Sequence, residues 1–353
     1  MSDRHSLEQF VHHMPKVELH VHLEGSIQPQ TLLELARRHR VDLPADDEDG
    51  LRRWFRFRDF EQFVQIYLVC CQCLRDPEDF QLVVDQFLAE QERQNVLYTE
   101  MHFTIGTHLA NGVNGGEVAD AIYESLTAGE RQRGVRARLI PDIVRDVGPE
   151  RADQTLEWAL AARAKGVVAL GLSGFESSPN EPYREHFQVA RDEGLHRVAH
   201  AGEHQGPQTI RSVLEVCQAE RIGHGIRAVD DPELMAELVA QSIPLEICPT
   251  SNLRLGAVPE MSEHPVDTLR RAGIEVTINS DDPALFDTTL TEEYERVADT
   301  FGYSASALAT LSWTALRRAF LAAEDRELLE QEFGRRLAEL DARIEGDQVL
   351  AEL

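Results

Sequence analysis

The segment VELHVHLEG at residues 17–25, followed by a helical pattern over Pro29–His39, is the first of a series of strand–helix pairs along the chain. Short runs of β-branched residues and leucine, mostly flanked by Gly or Pro, predict buried parallel strands. These runs are Val17–His22, Val96–Phe103, Val135–Pro141, Val167–Leu172, Leu195–His200, Arg221–His224, Ile243–Ile247 and Glu275–Asn279. Helical patterns, several of which begin with Pro and end near Gly, lie between them. They include Pro29–His39, Asp79–Gln94, Gly116–Arg133, Pro149–Lys165, Pro182–Gly194, Pro207–Ala219, Pro232–Gln241 and Pro265–Gly273. Eight such units predict an α/β fold, a closed (β/α)₈ barrel of the TIM type.

Two segments lie outside this repeating plan. A chain of 353 residues has room for two average domains or for one barrel with additions, and the sequence contains no linker, so we expect one domain over residues 1–353. Residues 45–80 form a helical insertion after the first strand, which contains WFRFRDFEQFVQIY at 54–67. It is either an extra packed helix or a lid over the active site. Residues 291–353 predict a helical tail outside the barrel.

The composition is that of a globular protein with a strong negative charge. Hydrophobic residues make up 42% of the chain, charged residues make up 27%, and the formal net charge is −27. Such a surface repels nucleic-acid phosphates and anionic membranes, so we expect a small-molecule substrate and neither nucleic acid nor membrane as a partner. The first residues have no signal-peptide core and no later stretch is long and apolar enough to span a membrane, which predicts a cytoplasmic protein. Whether the protein forms a homo-oligomer stays open.

The cysteines do not follow a disulfide or zinc-ribbon spacing. Three of the five are bunched at Cys70, Cys71 and Cys73 on a predicted helix. They are interpreted as reduced core or helix-face residues, and a metal or redox site is the alternative.

Barrel enzymes carry their active sites at the carboxyl ends of the strands, where a packed core would not place polar residues. At the end of the first strand, His20 and His22 stand two residues apart, so both imidazoles point to the same face. Paired imidazoles at a barrel mouth suit zinc. A His-x-His pair is weak evidence by itself.

Three further strand ends carry similar residues. His200 ends the fifth strand, with Glu203 one turn later; His224 lies between glycines at the sixth; and Asp281 and Asp282 follow the eighth. Each has a simpler explanation, such as a surface histidine or an aspartate that caps a helix. Because all four sites fall around one mouth, we expect a single zinc ion bound by four of these side chains, namely His20, His22, His200 and Asp281. Glu203, His224 and Asp282 are then free for chemistry.

A binuclear centre bridged by a carboxylated lysine is not expected. Lys16 and Lys165 are the only lysines of the chain, and Lys165 precedes the fourth predicted strand at its opposite end.

In this order the motifs resemble the adenosine deaminase family of the amidohydrolase superfamily. The matching segments are MPKVELHVHLEGS (14–26), LSGFE (172–176), HAGEHQG (200–206), ERIGHGIRAV (220–229), LEICPTSN (245–252) and NSDDPALFDTTLTEEY (279–294). The resemblance covers nearly the whole barrel. It implies a single catalytic zinc on the four residues named above.

The resemblance also implies a role for each remaining residue. Glu203 would deliver a proton to the ring nitrogen, provided that burial raises its pKa. His224 would orient and deprotonate the zinc-bound water, for which zinc makes hydroxide available near neutral pH. Asp282 would bind purine N7, and the Gly174 backbone would bind N3. Asp281 would be both a metal ligand and a catalytic residue. Together these roles imply removal of the 6-amino group of a purine, with release of ammonia.

The sequence departs from the family pattern near the substrate. Members that act on adenosine usually carry Asp in His-Leu-Asp-Gly, where that Asp contacts the ribose 5′-hydroxyl, but this chain has Glu24. Glu24 occurs in relatives that deaminate adenine or 6-aminodeoxyfutalosine, an adenine nucleoside with a bulky 5′ substituent. Phe175 also replaces an acid after the fourth strand, while Phe57 and Phe60, with Arg56 and Phe63, are candidates to line a 5′ pocket beside His22.

The substrate therefore stays open between adenosine and 6-aminodeoxyfutalosine, with adenine as the alternative. An amidohydrolase of a non-purine ring, or a silent binding relative, is less favoured because no expected ligand is missing. The zinc deaminases that use His-x-Glu with Pro-Cys-x-x-Cys are excluded, because Cys248-Pro249 is followed by Thr250 without such a partner.

Overall fold

In the computed structural model, which describes residues 2–341, eight parallel strands follow one another around a barrel in the order β1 to β8. They are β1 (Lys16–His22), β2 (Val96–Phe103), β3 (Arg136–Val144), β4 (Ala169–Ser173), β5 (His196–Ala201), β6 (Arg221–His224), β7 (Leu245–Ile247) and β8 (Val276–Ile278). A parallel bridge between Val21 and Asp281 joins β1 to the residues after β8. The predicted (β/α)₈ barrel is confirmed.

Helices surround the strands. They are α1 (Ser2–His13), α2 (Pro29–His39), α3 (Glu48–Trp54), α4 (Phe60–Gln72), α5 (Pro77–Arg93), α6 (Ile105–Ala110), α7 (Gly115–Arg133), α8 (Pro149–Ala161), α9 (Arg184–Asp192), α10 (Pro207–Val216), α11 (Pro232–Gln241), α12 (Pro249–Arg254), α13 (Val266–Arg271), α14 (Pro283–Phe286), α15 (Leu290–Phe301), α16 (Ala305–Arg318) and α17 (Ala323–Asp341). Every predicted helix is present, with ends that differ by a few residues; for example, the segment predicted as Pro182–Gly194 begins with a 3₁₀ turn before α9.

The insertion after β1 contains two helices where the sequence predicted one. Asp47 caps α3 by accepting from Gly50 N–H at 2.6 Å, and Asp59 caps α4 by accepting from Gln62 N–H at 2.8 Å. A side-chain cap starts a new helix, so Asp59 separates the two. The ring of Phe63 in α4 stacks on Phe286 after β8 at 5.3 Å. The insertion therefore packs over the carboxyl ends of the strands.

The opposite end of the barrel is closed by the chain after α16. Phe320 lies under the guanidinium of Arg221 at 3.7 Å and stacks on His196 at 4.2 Å. Its N–H donates to Glu100, which also pairs with Arg221 at 2.5 Å. Arg221 is buried, and a buried cation needs such partners. This end is filled, so the opening of the barrel is at the carboxyl ends.

The helical tail is confirmed over residues 291–341, and the part predicted beyond residue 341 lies outside the described residues. The expectation of a single domain over residues 1–353 stays a prediction. All five cysteines are buried free thiols. Among the helices within residues 2–341, none has the length and apolar character needed to cross a membrane.

Candidate active site

Four side chains predicted as metal ligands meet at the barrel mouth. One donor atom from each of His20, His22, His200 and Asp281 lies within 4.8 Å of every other, and all four residues are buried. Asp281 Oδ1 is 3.5 Å from His20 Nε2 and 3.3 Å from His22 Nε2, while His22 Nε2 is 3.2 Å from His200 Nε2. Three imidazole nitrogens and one carboxylate oxygen form a donor set that zinc accepts.

The hydrogen bonds of two of these imidazoles leave Nε2 without a proton. His20 Nδ1–H donates to Glu246 at 2.8 Å, and His200 Nδ1–H donates to the Leu172 carbonyl at 3.0 Å. When Nδ1 of a neutral imidazole carries the proton, Nε2 presents its lone pair. His20 Nε2 has no hydrogen-bond partner although it is buried. Lone pairs that converge in a buried site repel each other unless a cation lies between them, so the residues fit a bound metal ion.

The closure of the barrel positions the acidic ligand. Asp281 N–H donates to the His20 carbonyl at 3.1 Å, and its carbonyl accepts from His22 N–H at 2.7 Å. This pairing places the carboxylate between the two histidines of β1. Asp281 and His224 both have φ near 62°, a left-handed conformation that non-glycine residues adopt rarely and often at functional sites.

Charges within the cluster shift its protonation before any metal binds. Burial lowers the pKa of His20, but the neighbouring carboxylates of Asp281 and Glu246 outweigh burial and raise it to about 9. Burial and the neighbouring imidazoles lower the pKa of His200. Burial opposes ionisation of Asp281, yet the close imidazoles of His20 and His22 hold its pKa well below the usual range. A metal ion therefore displaces protons from the β1 histidines when it binds.

Glu203 and His224 lie beside the candidate metal ligands. His224 Nε2 is 3.7 Å from Glu203 Oε2 and 3.8 Å from Asp281 Oδ2. Burial, followed by the charges of Asp281 and Glu176, raises the pKa of Glu203 well above its ordinary value. Burial lowers the pKa of His224. These shifts favour the protonated carboxyl group of Glu203 and the neutral imidazole of His224, the forms that acid catalysis by a carboxyl group uses.

A second acid, which the sequence did not identify as functional, holds the Glu203 loop in place. Glu176 accepts hydrogen bonds from three consecutive backbone N–H groups: Gly202 at 2.7 Å, Glu203 at 2.8 Å and His204 at 3.0 Å. Its carboxylate also accepts from Thr209 Oγ at 2.9 Å. Charge-assisted hydrogen bonds of this kind are stronger than neutral ones. Glu176 therefore fixes the backbone that carries Glu203.

A cavity of about 300 Å³ opens from the ligand cluster, and His22, Gly174, Phe60 and Asp282 all contribute to its wall. Its other apolar walls are Phe63, Val64, Leu68, Val144, Val147, Phe175 and Leu255. This volume is at the lower end of the range for small-molecule sites.

Asp282 is buried, burial raises its pKa, and its Oδ1 has no hydrogen-bond partner. A Cβ on Gly25 would lie 1.8 Å from that oxygen, so only glycine fits there. The structure thus places the carboxyl group of Asp282, which has an unused hydrogen-bonding oxygen, in the cavity wall.

Two predicted substrate contacts lie behind the cavity wall. Glu24 is buried in the turn after β1, where its Oε1 accepts from Thr104 N–H at 2.9 Å, Thr104 Oγ at 2.6 Å and His108 Nε2 at 2.9 Å. Burial opposes its ionisation, but the hydrogen bonds from His108 and Thr104 lower its pKa to about 2. Phe57 packs against Phe63 and Phe286. Neither Glu24 nor Phe57 is therefore brought to the cavity surface; Thr104, whose partner is Glu24, lines it instead.

Comparisons with known proteins agree with this geometry. The sequence profile of the family described as Adenosine deaminase matches residues 15–334. An aminodeoxyfutalosine deaminase of Streptomyces coelicolor is 39% identical over 92% of this chain and 85% of its own length. An adenine deaminase of the same organism is 38% identical over 93% of this chain and 95% of its own. The crystal structure of an adenine deaminase from Arthrobacter aurescens superposes with a TM-score of 0.86 at 31% identity, covering 91% of this chain and 98% of that one.

Proposed function

We propose, because this chain belongs to the adenosine deaminase family, that it is a zinc-dependent enzyme that removes the 6-amino group of a 6-aminopurine nucleoside. Hydrolytic deamination of a purine is the activity that its relatives share. The observation that carries the proposal is the convergence of three imidazoles and Asp281 beside a buried carboxyl group, Glu203. Zinc is the proposed metal, on the donor set described above.

The proposed chemistry divides between the metal and the chain. His20, His22, His200 and Asp281 would hold the zinc ion, which would supply a water of lowered pKa as the nucleophile. Protonated Glu203 gives its proton to the ring nitrogen next to the attacked carbon, which gains charge as the ring loses aromaticity. Asp282, which lines the cavity, binds N7 in the other ring of the purine. The amino group takes up the proton that the attacking water loses and leaves as ammonia, while the hydroxyl proton of the adduct returns to Glu203 as the carbonyl forms.

The cavity wall supports a nucleoside with an apolar 5′ substituent, of the 6-aminodeoxyfutalosine type, over plain adenosine. Beyond the polar residues, the wall is aliphatic and aromatic out to Leu68 and Val147, which are 41% and 37% exposed. Exposed apolar side chains at a cavity rim indicate an apolar ligand group. Arg151 adds a cation to the same wall, where a substituent with an acidic group would find a partner.

Adenine is the second candidate, and a different observation supports it. The Glu24 carboxylate binds Thr104 and His108, so this acid is turned away from the place of a ribose hydroxyl. One relative at 38% identity is named an adenine deaminase. In both cases we propose a small-molecule substrate for a protein that binds neither nucleic acid nor membrane. Whether the protein forms a homo-oligomer stays open.

The values of kcat/KM for adenine, adenosine, 2′-deoxyadenosine and 6-aminodeoxyfutalosine separate these candidates, measured as ammonia release and loss of adenine absorbance. We expect the 5′-substituted nucleoside to give the highest value. A preference for adenine by tenfold or more contradicts the nucleoside proposal and supports the second candidate.

The role of Glu203 has its own test. Glu203→Gln should retain zinc and lose about 10²- to 10⁴-fold in kcat, because the amide has no acidic proton to give. Normal rates in this variant would refute the assignment.

A further inference from the structure

Asn252, in the α12 turn at the mouth of the barrel, touches both His224 and Glu203. Its Nδ2 is 3.2 Å from His224 Nδ1 and 3.4 Å from Glu203 Oε1. Its Oδ1 is 3.1 Å from Nε2 of His264. Asn252 is fully buried, and so are the three side chains around it. Its amide therefore has a fixed orientation, which decides which neighbour donates a hydrogen bond to it and which neighbours accept one from it.

A backbone group sets the direction of these hydrogen bonds. The N–H of Val266 is always a donor, and it donates to His264 Nδ1 at 3.1 Å. Burial lowers the pKa of His264 to about 4, so this imidazole is neutral and carries its one proton on Nε2. That proton is donated to Asn252 Oδ1. The opposite orientation of the amide would place two donors against each other in a buried site, which is unfavourable.

The Asn252 amide in turn decides which nitrogen of His224 carries the proton. With Oδ1 turned to His264, the NH₂ group of Asn252 faces His224 Nδ1 and Glu203 Oε1 and donates to both. His224 Nδ1 must then accept, and an accepting Nδ1 in a neutral imidazole leaves the proton on Nε2. His224 Nε2 is the nitrogen that faces Asp281 and Glu203, at 3.8 and 3.7 Å.

We propose that Asn252, itself oriented by His264, is a positioning residue that holds His224 as the Nε2–H tautomer. His224 then donates a hydrogen bond to the attacking oxygen and orients it. It does not accept the proton of the attacking water, because Nε2 is already occupied. This departs from the role that the family resemblance implied, which joined orientation and deprotonation in one residue. The catalytic part of the inference rests on the proposed deaminase function; the tautomer does not.

The tautomer is measured directly by NMR on the zinc-loaded protein labelled with ¹⁵N-histidine, in which Nδ1 and Nε2 of each ring are distinguished by their shifts and couplings. The His224 signals are assigned from the spectrum of His224→Gln. We expect a neutral ring with the proton on Nε2. A ring protonated on Nδ1 alone, or on both nitrogens, overturns the proposal, whatever substrates the protein accepts.

Asn252→Asp tests the cause. A carboxylate at this place accepts from His224 Nδ1–H, so the proton should move to Nδ1 and leave Nε2 bare. We expect about a 100-fold loss of kcat, as for removal of one preorganised donor, with KM changed by less than about threefold and zinc content unchanged. A tautomer and a kcat like those of the wild type would overturn the assignment to Asn252. His264→Phe, which removes the donor to Asn252 Oδ1, gives an independent reading, and we expect it to lower kcat and to mix the two tautomers.

Ser251→Ala is the matched control. Ser251 is the neighbour of Asn252 in the same turn, it is buried, and its hydroxyl has no hydrogen-bond partner. We expect this variant to keep the wild-type tautomer and kcat. An equal loss of kcat in Ser251→Ala and Asn252→Asp would mean that any substitution in this turn lowers the rate. That result would overturn a specific role for the Asn252 amide. Failure of the protein to deaminate any purine would refute the proposed function and leave the tautomer measurement valid.

Discussion

Replacement of Glu176 by glutamine isolates the contribution of one carboxylate to the position of Glu203. The charged group accepts from three backbone N–H groups and from the Thr209 hydroxyl at 2.7 to 3.0 Å. The glutamine oxygen can still accept from Glu203 and His204, but as a neutral group. Its NH₂ then faces Gly202 N–H, which keeps only its bond to Thr209 Oγ at 2.9 Å.

The expected loss follows from these bonds. Gly202 N–H and Thr209 Oγ–H each keep another acceptor, so the loss comes mainly from the two weakened bonds. Hydrogen bonds to charged groups contribute about 1.5–3 kcal/mol and neutral ones about 0.5–1.5 kcal/mol, so these two bonds amount to about 2 kcal/mol. Glu176 is partly exposed, which places the value toward the lower end. A shift of the Glu203 carboxyl by about 1 Å lowers kcat by up to about 100-fold. We therefore expect a loss of about 2 kcal/mol in the free energy of unfolding and a 10- to 100-fold loss of kcat.

Urea unfolding and steady-state deamination measure the two quantities. Glu181→Gln makes the same chemical change at an exposed position of the 3₁₀ turn before α9 and should change stability by less than about 0.5 kcal/mol. If Glu176→Gln matches this control in both stability and kcat, the reasoning about the loop is wrong.

Two further predictions concern buried charges. Glu246→Gln replaces the carboxylate that accepts from His20 Nδ1–H with a neutral amide, which lowers the basicity of the ring, so zinc binding should weaken about 10- to 100-fold in chelator competition. Glu220→Gln is the control, because its histidine partner His196 is at the opposite end of the barrel. Equal zinc affinities in the two variants would contradict the role of Glu246. Burial lowers the pKa of Lys16 from 10.5 to about 7, so the unfolded chain binds more protons than the folded chain between these pH values, and stability rises with pH there. From pH 6 to pH 9 the wild type should gain on the order of 2 kcal/mol relative to Lys16→Met in denaturant unfolding, and a difference that is independent of pH would refute this.

The barrel and the ligand cluster could be predicted because they follow from local patterns and one topological rule. A strand places residues two apart on the same face, so His20 and His22 must point together, and parallel strands bring their carboxyl ends to one mouth. Those two facts bring His200 and Asp281 to the same place although they are far apart in the chain.

The residues that orient the site were less accessible to sequence reasoning because their partners are distant. The carboxylate of Glu24 is oriented by hydrogen bonds from Thr104 and His108, about 80 positions away, and no local sequence pattern predicts those contacts. Glu176 was recognised only as part of a motif, since its role depends on the backbone of residues 202–204. Asn252 could have been recognised from the sequence as a candidate site residue, because it is a polar residue shortly after the seventh strand. Asp59 could likewise have been recognised as the N-cap of a second helix in the insertion.

Ammonia release from a 6-aminopurine substrate by protein that holds one zinc ion per chain tests the central claim most directly. The account predicts turnover of at least one of adenine, adenosine and 6-aminodeoxyfutalosine, loss of that turnover after chelation, and its return when one equivalent of zinc is added. Zinc-loaded, folded protein that releases no ammonia from any of them, or that remains fully active after the metal is removed, would contradict it.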